Sequence, residues 1–347
     1  MRKTNLFGVL LVVVVLSLTA CHDNPPKVNP DNTNQQTGQV NPEKDPISLL
    51  SDSIAMDENR DDLYLRRAVL YVEREQFSQA MTDVNKSLQL NPRNIDALLL
   101  LSDIYFLLGD ETNITATLNH ALEVDPLDTR PMVKLAQMYL LKQDYNLTFG
   151  YIDNALKVST YNPQAYFVKG MAYMARQDTV SAMKNFMIAR EQDPTFYDPQ
   201  REIYTIYWAQ HNPLTESFMR SMMANFPDRP MVRYDLAMYL QDNGSPEEAL
   251  LHYDTLLMLK PDNSRWLYNK GYVYFVYLHD NPTALQYFEL SLQSDPEYID
   301  ALYNKGRVLE QMGDYAQAKA IYSQVLGKYP NYKLAVEGMN RIANQAE

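Results

Sequence analysis

Five histidines and one cysteine are the residues of this chain best suited to metal ligation or nucleophilic chemistry, and their spacing supports neither. His22, His120, His211, His252 and His279 never stand three or four apart, so no helix turn presents a ligand pair, and no HExxH appears. Cys21 has no second cysteine to join in a disulfide or a CxxC site. There is no carboxylate-rich calcium loop, no GxSxG turn and no glycine loop to cradle phosphate. No catalytic, cofactor-binding or metal-ligating set is written locally, and the chain is expected not to be an enzyme and to need no cofactor. What remains is contact chemistry. The sequence holds 26 tyrosines and 17 methionines, and Leu-Tyr-Asn-Lys-Gly occurs twice, at 267–271 and 302–306. Aromatic and thioether side chains make large, adaptable contacts, and an asparagine amide pairs both ways with a peptide backbone.

The element that must position these residues is clearest at Ile299–Tyr332. Leu302, Gly306 and Leu309 mark one amphipathic helix; Gly313 and Asp314 interrupt it; Ala318, Tyr322, Val325 and Leu326 mark a second, stopped by Pro330. Two helices of about 14 residues cannot bury their apolar faces alone, so the unit must stack on copies of itself. The copies are present. The small residue at the eighth place falls at Ala68, Ser102, Ala136, Gly170, Ala237, Gly271 and Gly306, in steps of 33–35 residues, with Tyr204 standing in the fifth copy. Tyr71, Tyr105, Tyr139, Tyr173 and Tyr207 recur three places on, and a closing proline recurs from Pro92 to Pro330 except at Thr160.

Small residues at places 8 and 20 (Ala80, Ala182, Ala249, Ala284, Ala318), aromatics at 11 and 24 (Phe186, Tyr253, Phe288, Tyr322) and proline at 32 resemble the tetratricopeptide repeat. The resemblance implies an all-α, right-handed α-α superhelical solenoid of about eight repeats with terminal capping helices. The units are 61–94, 95–128, 129–162, 163–196, 197–229, 230–263, 264–298 and 299–332. Unit five is a residue short and unit seven a residue long; the slips are placed near Asn212-Pro213 and His279–Pro282, in the turns between helices. Unit five, with its bulky Tyr204, is the candidate weak point.

The same resemblance puts a ligand-binding concave face on the first helix of each unit. Its positions here hold Tyr234, Met238, Tyr268, Asn269, Tyr272, Phe275, Tyr303, Asn304 and Arg307, with Phe167, Met171, Met174 and Trp208 in the middle units. The alternative is that tyrosine and methionine at helical spacing pack the core, and that Tyr-Asn-Lys-Gly is only a good repeat sequence. The chaperone-tail clamp of this family is excluded: Leu65, Val69 and Leu100 occupy its polar places, leaving only Arg130 and Lys134.

Flanking segments suggest location. Residues 1–20 join Arg2 and Lys3 to an apolar run and a small-residue exit, as in a secretory signal. Leu18-Thr19-Ala20-Cys21 resembles the lipobox of bacterial lipoproteins, which implies cleavage before Cys21 and a lipid on it. His22, where an aspartate would favour inner-membrane retention, favours the outer membrane. Residues 21–44, with four prolines and many Asn and Gln, read as a disordered tether spanning about 25–30 Å. Residues 45–60 supply an N-terminal capping helix with Ile47, Leu50 and Ile54 on one face, and 333–347 a C-terminal one with Ala335, Met339 and Ile342. Losing Arg2 and Lys3 takes the net charge from −12 to −14, which disfavours nucleic acid and anionic membrane surfaces as partners.

These readings combine into a non-enzymatic adaptor, lipid-anchored in a bacterial cell envelope on the periplasmic face, that binds a protein or peptide partner in its groove. A glycan-binding outer-membrane lipoprotein and a structural self-assembler are the alternatives; the repeat steps leave no room for the long insertions that build sugar sites. Oligomeric state is not readable from the sequence. Cys21→Ala is expected to leave the fold intact and abolish labelling by palmitate in cells; undiminished label would refute the anchor.

Overall fold

A computed structural model describes residues 45–345. The expected signal (1–20), Cys21 and the tether to 44 lie outside the described residues. Among those described, the structure is entirely helical, with eighteen helices and no strand. Helix α1 (Pro46–Met56) precedes eight pairs: α2 (Asp61–Glu73) with α3 (Phe77–Leu90), α4 (Ile95–Leu108) with α5 (Glu111–Val124), α6 (Thr129–Leu141) with α7 (Tyr145–Val158), and α8 (Pro163–Ala175) with α9 (Thr179–Gln192). There follow α10 (Tyr197–Ala209) with α11 (Thr215–Asn225), α12 (Pro230–Asp242) with α13 (Pro246–Leu259), α14 (Ser264–Val276) with α15 (Asn281–Ser294), and α16 (Ile299–Gln311) with α17 (Tyr315–Lys328). Helix α18 (Lys333–Gln345) ends the series. This is an α-α solenoid.

Every pair turns on a single left-handed residue: Glu75, Gly109, Gln143, Gln177, His211, Gly244, His279 and Gly313 have φ between 52° and 88°. Only three of the eight are glycine, the residue that adopts this conformation without a Cβ penalty. Behind it, an aspartate caps the second helix. Asp110, Asp144, Asp178, Asp280 and Asp314 each accept a hydrogen bond from the backbone N–H three residues on. Asn94, Asp128, Asn162 and Asn263 cap first helices with their side chains as well. In pair seven the left-handed residue comes one place late, so the extra residue lies at 277–278.

The core of each pair forms where place 8 meets place 24. Val84, Leu118, Ile152, Phe186, Met219, Tyr253, Phe288 and Tyr322 are all buried to within 1%. Sizes compensate across this slot in six of the eight pairs. Gly170, Gly271 and Gly306 face Phe186, Phe288 and Tyr322, and a Cβ added to them would sit 2.4, 3.0 and 2.7 Å from those rings. Ala68, Ser102 and Ala136 instead go with Val84, Leu118 and Ile152. The bulky Tyr204 of pair five goes with the flexible Met219, and its hydroxyl donates to Asp235 Oδ2 at 2.7 Å. The recurring tyrosines at place 11 lie half-buried against the second helix: Tyr139 stacks on Tyr151 at 5.6 Å, Tyr274 on Tyr287 at 5.6 Å, and Tyr207 meets Phe218 edge-on at 5.8 Å.

The chain divides into two compact units with the boundary between Pro199 and Gln200, inside α10 of pair five. At the start of the first unit, α1 puts Ile54 against Leu63 and Tyr64, and Ser51 accepts from Arg67 at 2.8 Å. At the end of the second, α18 buries Ala335 and Ile342 with Tyr322 and Val325.

Gly170→Ala is expected to destabilise by about 1–3 kcal/mol through overpacking, and Phe186→Leu in the same chain to recover part of that loss in a double-mutant melting cycle. Gln177→Gly, at φ 63°, is expected to stabilise by about 0.5–1 kcal/mol by relieving left-handed strain; a lowered melting temperature would contradict this.

Candidate functional site

Within each unit, first helices of successive pairs approach one another (α2 with α4, α6 with α8, α14 with α16, α16 with α18), more closely than second helices do. The first helices therefore line the inner side, and the residues they turn there are the candidates for binding.

In residues 200–345 the repeated Tyr-Asn-Lys-Gly proves to be largely a stacking device. The Asn269 amide donates to the Tyr234 hydroxyl at 2.8 Å, and the Asn304 amide to the Tyr268 hydroxyl at 3.1 Å and to the Asp300 carbonyl at 2.9 Å. Each asparagine thus ties its helix to the tyrosine of the preceding pair. Lys270 pairs with Asp254 and lies over the Tyr287 ring at 4.5 Å, while Lys305 pairs with Glu289 at 2.9 Å. The glycine admits the ring of place 24. Burial opposes the charge on Lys270, but the Asp254 and Tyr287 hydrogen bonds outweigh it and its pKa rises. Burial, reinforced by the Asp300 carboxylate, likewise pushes the Tyr268 hydroxyl well above the usual phenol range.

The nine groove residues named from the sequence in this unit therefore fall into two groups. Tyr234, Asn269, Phe275, Tyr303 and Asn304 are buried, with Tyr303 packed between Tyr322 and Tyr332 at 5.9 and 5.6 Å. Met238, Tyr268, Tyr272 and Arg307 are half-buried and keep surface on the inner wall. Tyr272 stands between Tyr268 and Tyr277 at 6.1 and 6.2 Å, and the Arg307 guanidinium lies 5.0 Å over the Phe275 ring. Trp208, half-buried too, meets Tyr239 edge-on at 6.0 Å. Beyond Arg307 the wall ends in a polar cluster: Arg341 donates to both oxygens of Glu310 at 2.7 and 2.9 Å, and the Tyr322 hydroxyl donates to Glu310 at 2.6 Å. Burial works to raise the Glu310 pKa, but these hydrogen bonds hold it below the usual carboxylate value.

In residues 45–199 two candidates are core residues. Phe167 packs on Phe186 and Phe196 at 5.8 and 5.3 Å, and Met171 is buried. The polar feature of this wall is one the sequence reading passed over: Asp103 is ion-paired with Lys134 at 2.5 Å, beside Gln137. Burial pushes the Asp103 carboxyl up, against the pull of Lys134. A one-turn spacing would have exposed a pair within a helix, but these partners are 31 residues apart. The basic residue at place 7 had a legible signal: Lys169, Lys270 and Lys305 each pair with the acid 16 residues earlier.

Among the described residues there is no cluster of three or more metal-ligating side chains, and no helix long and apolar enough to cross a membrane.

Tetratricopeptide-repeat models match residues 234–298 and 278–338. The photosystem I assembly protein Ycf3 of Acaryochloris marina is 36% identical over 90 residues, 25% of this chain and 54% of that protein. The TPR repeat-containing protein MJ1428 of Methanocaldococcus jannaschii is 26% identical over 168 residues, 48% of this chain and 25% of that one. The chain thus spans about half or less of these curated relatives. In fold it is similar to a chain of the APC/C hetero-tetramer Cut9-Hcn1 (TM-score 0.54, 17% identity, 85% of this chain and 58% of that). It is also similar to yeast Tom70 (TM-score 0.52, 18% identity, 83% and 64%). Residues 234–338 thus match tetratricopeptide repeats, and the helix pairs before them repeat the same place-by-place packing.

Proposed function

We propose that this protein is a non-enzymatic adaptor, held by a lipid on Cys21 at the periplasmic face of a bacterial outer membrane, that recruits a protein or peptide segment to the inner wall of its repeats. The observation that carries the reading is the division among the first-helix residues. Tyr234, Asn269, Tyr303 and Asn304 are buried in the stack, whereas Met238, Tyr272, Arg307 and Trp208 keep surface on the wall. Large amphipathic aromatics with few rotatable bonds, an adaptable thioether and an arginine are what interface anchors are made of. The family supports a binding role, and one matched relative is named for the assembly of a photosystem. An acidic chain is a poor fit to nucleic acid.

The test is a photo-crosslinking amino acid placed at Tyr272 in cells, with Val180, an exposed residue of the second helix α9, as the control position. A defined protein adduct at 272 and none at 180 is expected, and Tyr272→Ala is expected to weaken capture of that partner about tenfold or more without lowering the melting temperature by more than a few degrees. Failure to trap any protein at 272, together with micromolar heat of binding to an oligosaccharide, would instead establish the glycan reading.

A further inference from the structure

The outer face of repeats five to seven carries a feature that neither the stack nor the inner wall uses. On α13, Leu251, Met258 and Leu259 lie along one side of the helix (i, i+7, i+8) and are 66, 79 and 69% exposed. They occupy places 22, 29 and 30 of the sixth repeat, with Thr255 between them at place 26. Large apolar side chains grouped on a water-facing surface mark an interaction site, whereas single ones do not.

Elsewhere the same places carry charge. They hold Lys86 in the first repeat, Glu123 in the second, Lys157 in the third, Glu191 in the fourth and Lys328 in the eighth. Allowing for the one-residue slips, none of the four places is charged in repeats five, six and seven. On α11 they include Ser217, Ser221 and Ala224, exposed small side chains that leave a trough beside the α13 ridge. The charged groups between these helices are spent on one another. Arg220 of α11 bridges Glu216 and Glu248 at 2.8 Å, Asp254 pairs with Lys270, and Glu289 with Lys305. Glu247 and Lys260, exposed at the two ends of the ridge, have opposite signs.

Charge and shape together select what covers this face. The chain has a formal net charge of −12, so two copies repel over most of their surface and approach closely only where charge is lacking or paired. The band offers a strongly charged partner no opposite field. Ridge and trough also fit each other. A two-fold axis lying between α11 and α13, and running along them, sets Leu251 and Met258 of each copy over Ser217, Ser221 and Ala224 of the other, so every contact is made twice. The Arg220 ion pairs enter such an interface already compensated. Helices of 11 to 14 residues rise about 17–21 Å, and three side by side span about 25–30 Å. A face of that size is at the small end of what reversible protein dimers bury.

We propose that the outer face of repeats five to seven is the interface of a two-fold homodimer, the α13 ridge of each copy seated in the α11 trough of the other. Second helices face away from the inner wall, so this pairing leaves that wall open and stands or falls apart from the adaptor reading.

In the experiment, two differently tagged copies of the full chain are co-expressed, one with a photo-crosslinking amino acid in place of Met258, and the purified chain is sedimented over a range of concentrations. A covalent product joining 258 of one copy to α11 of the other is expected, with a dimer that dissociates in the micromolar range. Met258→Glu and, from the opposite side, Ser221→Glu are each expected to weaken the dimer about tenfold or more. Neither should lower the melting temperature of dilute protein, because both residues are exposed in the single copy. Should either variant melt lower, the crosslink in the otherwise unchanged chain decides alone. Sedimentation as a monomer at every concentration overturns the proposal, and so does a dimer indifferent to both substitutions. A 258 adduct that misses α11 of a second copy overturns it as well, whether it lands elsewhere on the chain, on another protein or on phospholipid.

Discussion

The whole fold depends on one slot, repeated eight times, where the eighth residue of a first helix faces the twenty-fourth residue of its pair. Interiors pack at near-crystalline density, so in six of the eight pairs the two side chains share a similar volume, while Tyr204 with Met219 and Ala237 with Tyr253 are larger. Glycine there goes with Phe186, Phe288 or Tyr322; alanine or serine goes with Val84, Leu118 or Ile152, and Ala237 alone with a ring, Tyr253. Tyr204 reverses the usual order, a ring on the first helix and the unbranched Met219 opposite. The boundary between the two compact units falls in the same helix pair.

Once the slot is filled, most polar residues of the first helices act to join one repeat to the next. Asn269 and Asn304 reach back to tyrosine hydroxyls, Lys270 and Lys305 reach back to acids, and Lys134 reaches Asp103. Such bonds lie between elements that hydrophobic contact alone would let slide, so they fix the register of the stack. Their partners are buried or half-buried, which makes removal of one member more costly than the bond itself is favourable.

Function in such a scaffold belongs to the residues left over after stacking. In the second unit these are amphipathic aromatics, a methionine and an arginine on the first helices. In the first unit the polar feature of the wall, the Asp103–Lys134 ion pair, is already used in joining repeats two and three.

The repeat length, the helix pairs, the small and large places and the turns were legible in the sequence because each depends on residues within one 34-residue period. Local periodicity encodes local burial. Even the one-residue slips announced themselves as broken spacing. The capping aspartates at 110, 144, 178, 280 and 314 recur at the same interval and are readable once the turn is known. The fate of the groove residues was not legible. Tyr268 and Tyr303 occupy the same place in successive repeats and meet equivalent rings, Phe288 and Tyr298 for one and Tyr322 and Tyr332 for the other, yet only Tyr303 is buried. Asn269 looks like a ligand-binding amide until the hydroxyl of Tyr234, 35 residues away, accepts its hydrogen bond. Periodicity states which face of a helix turns inward, but whether a side chain there is used up or left available depends on atoms a whole repeat away, and only the stacked structure brings those together.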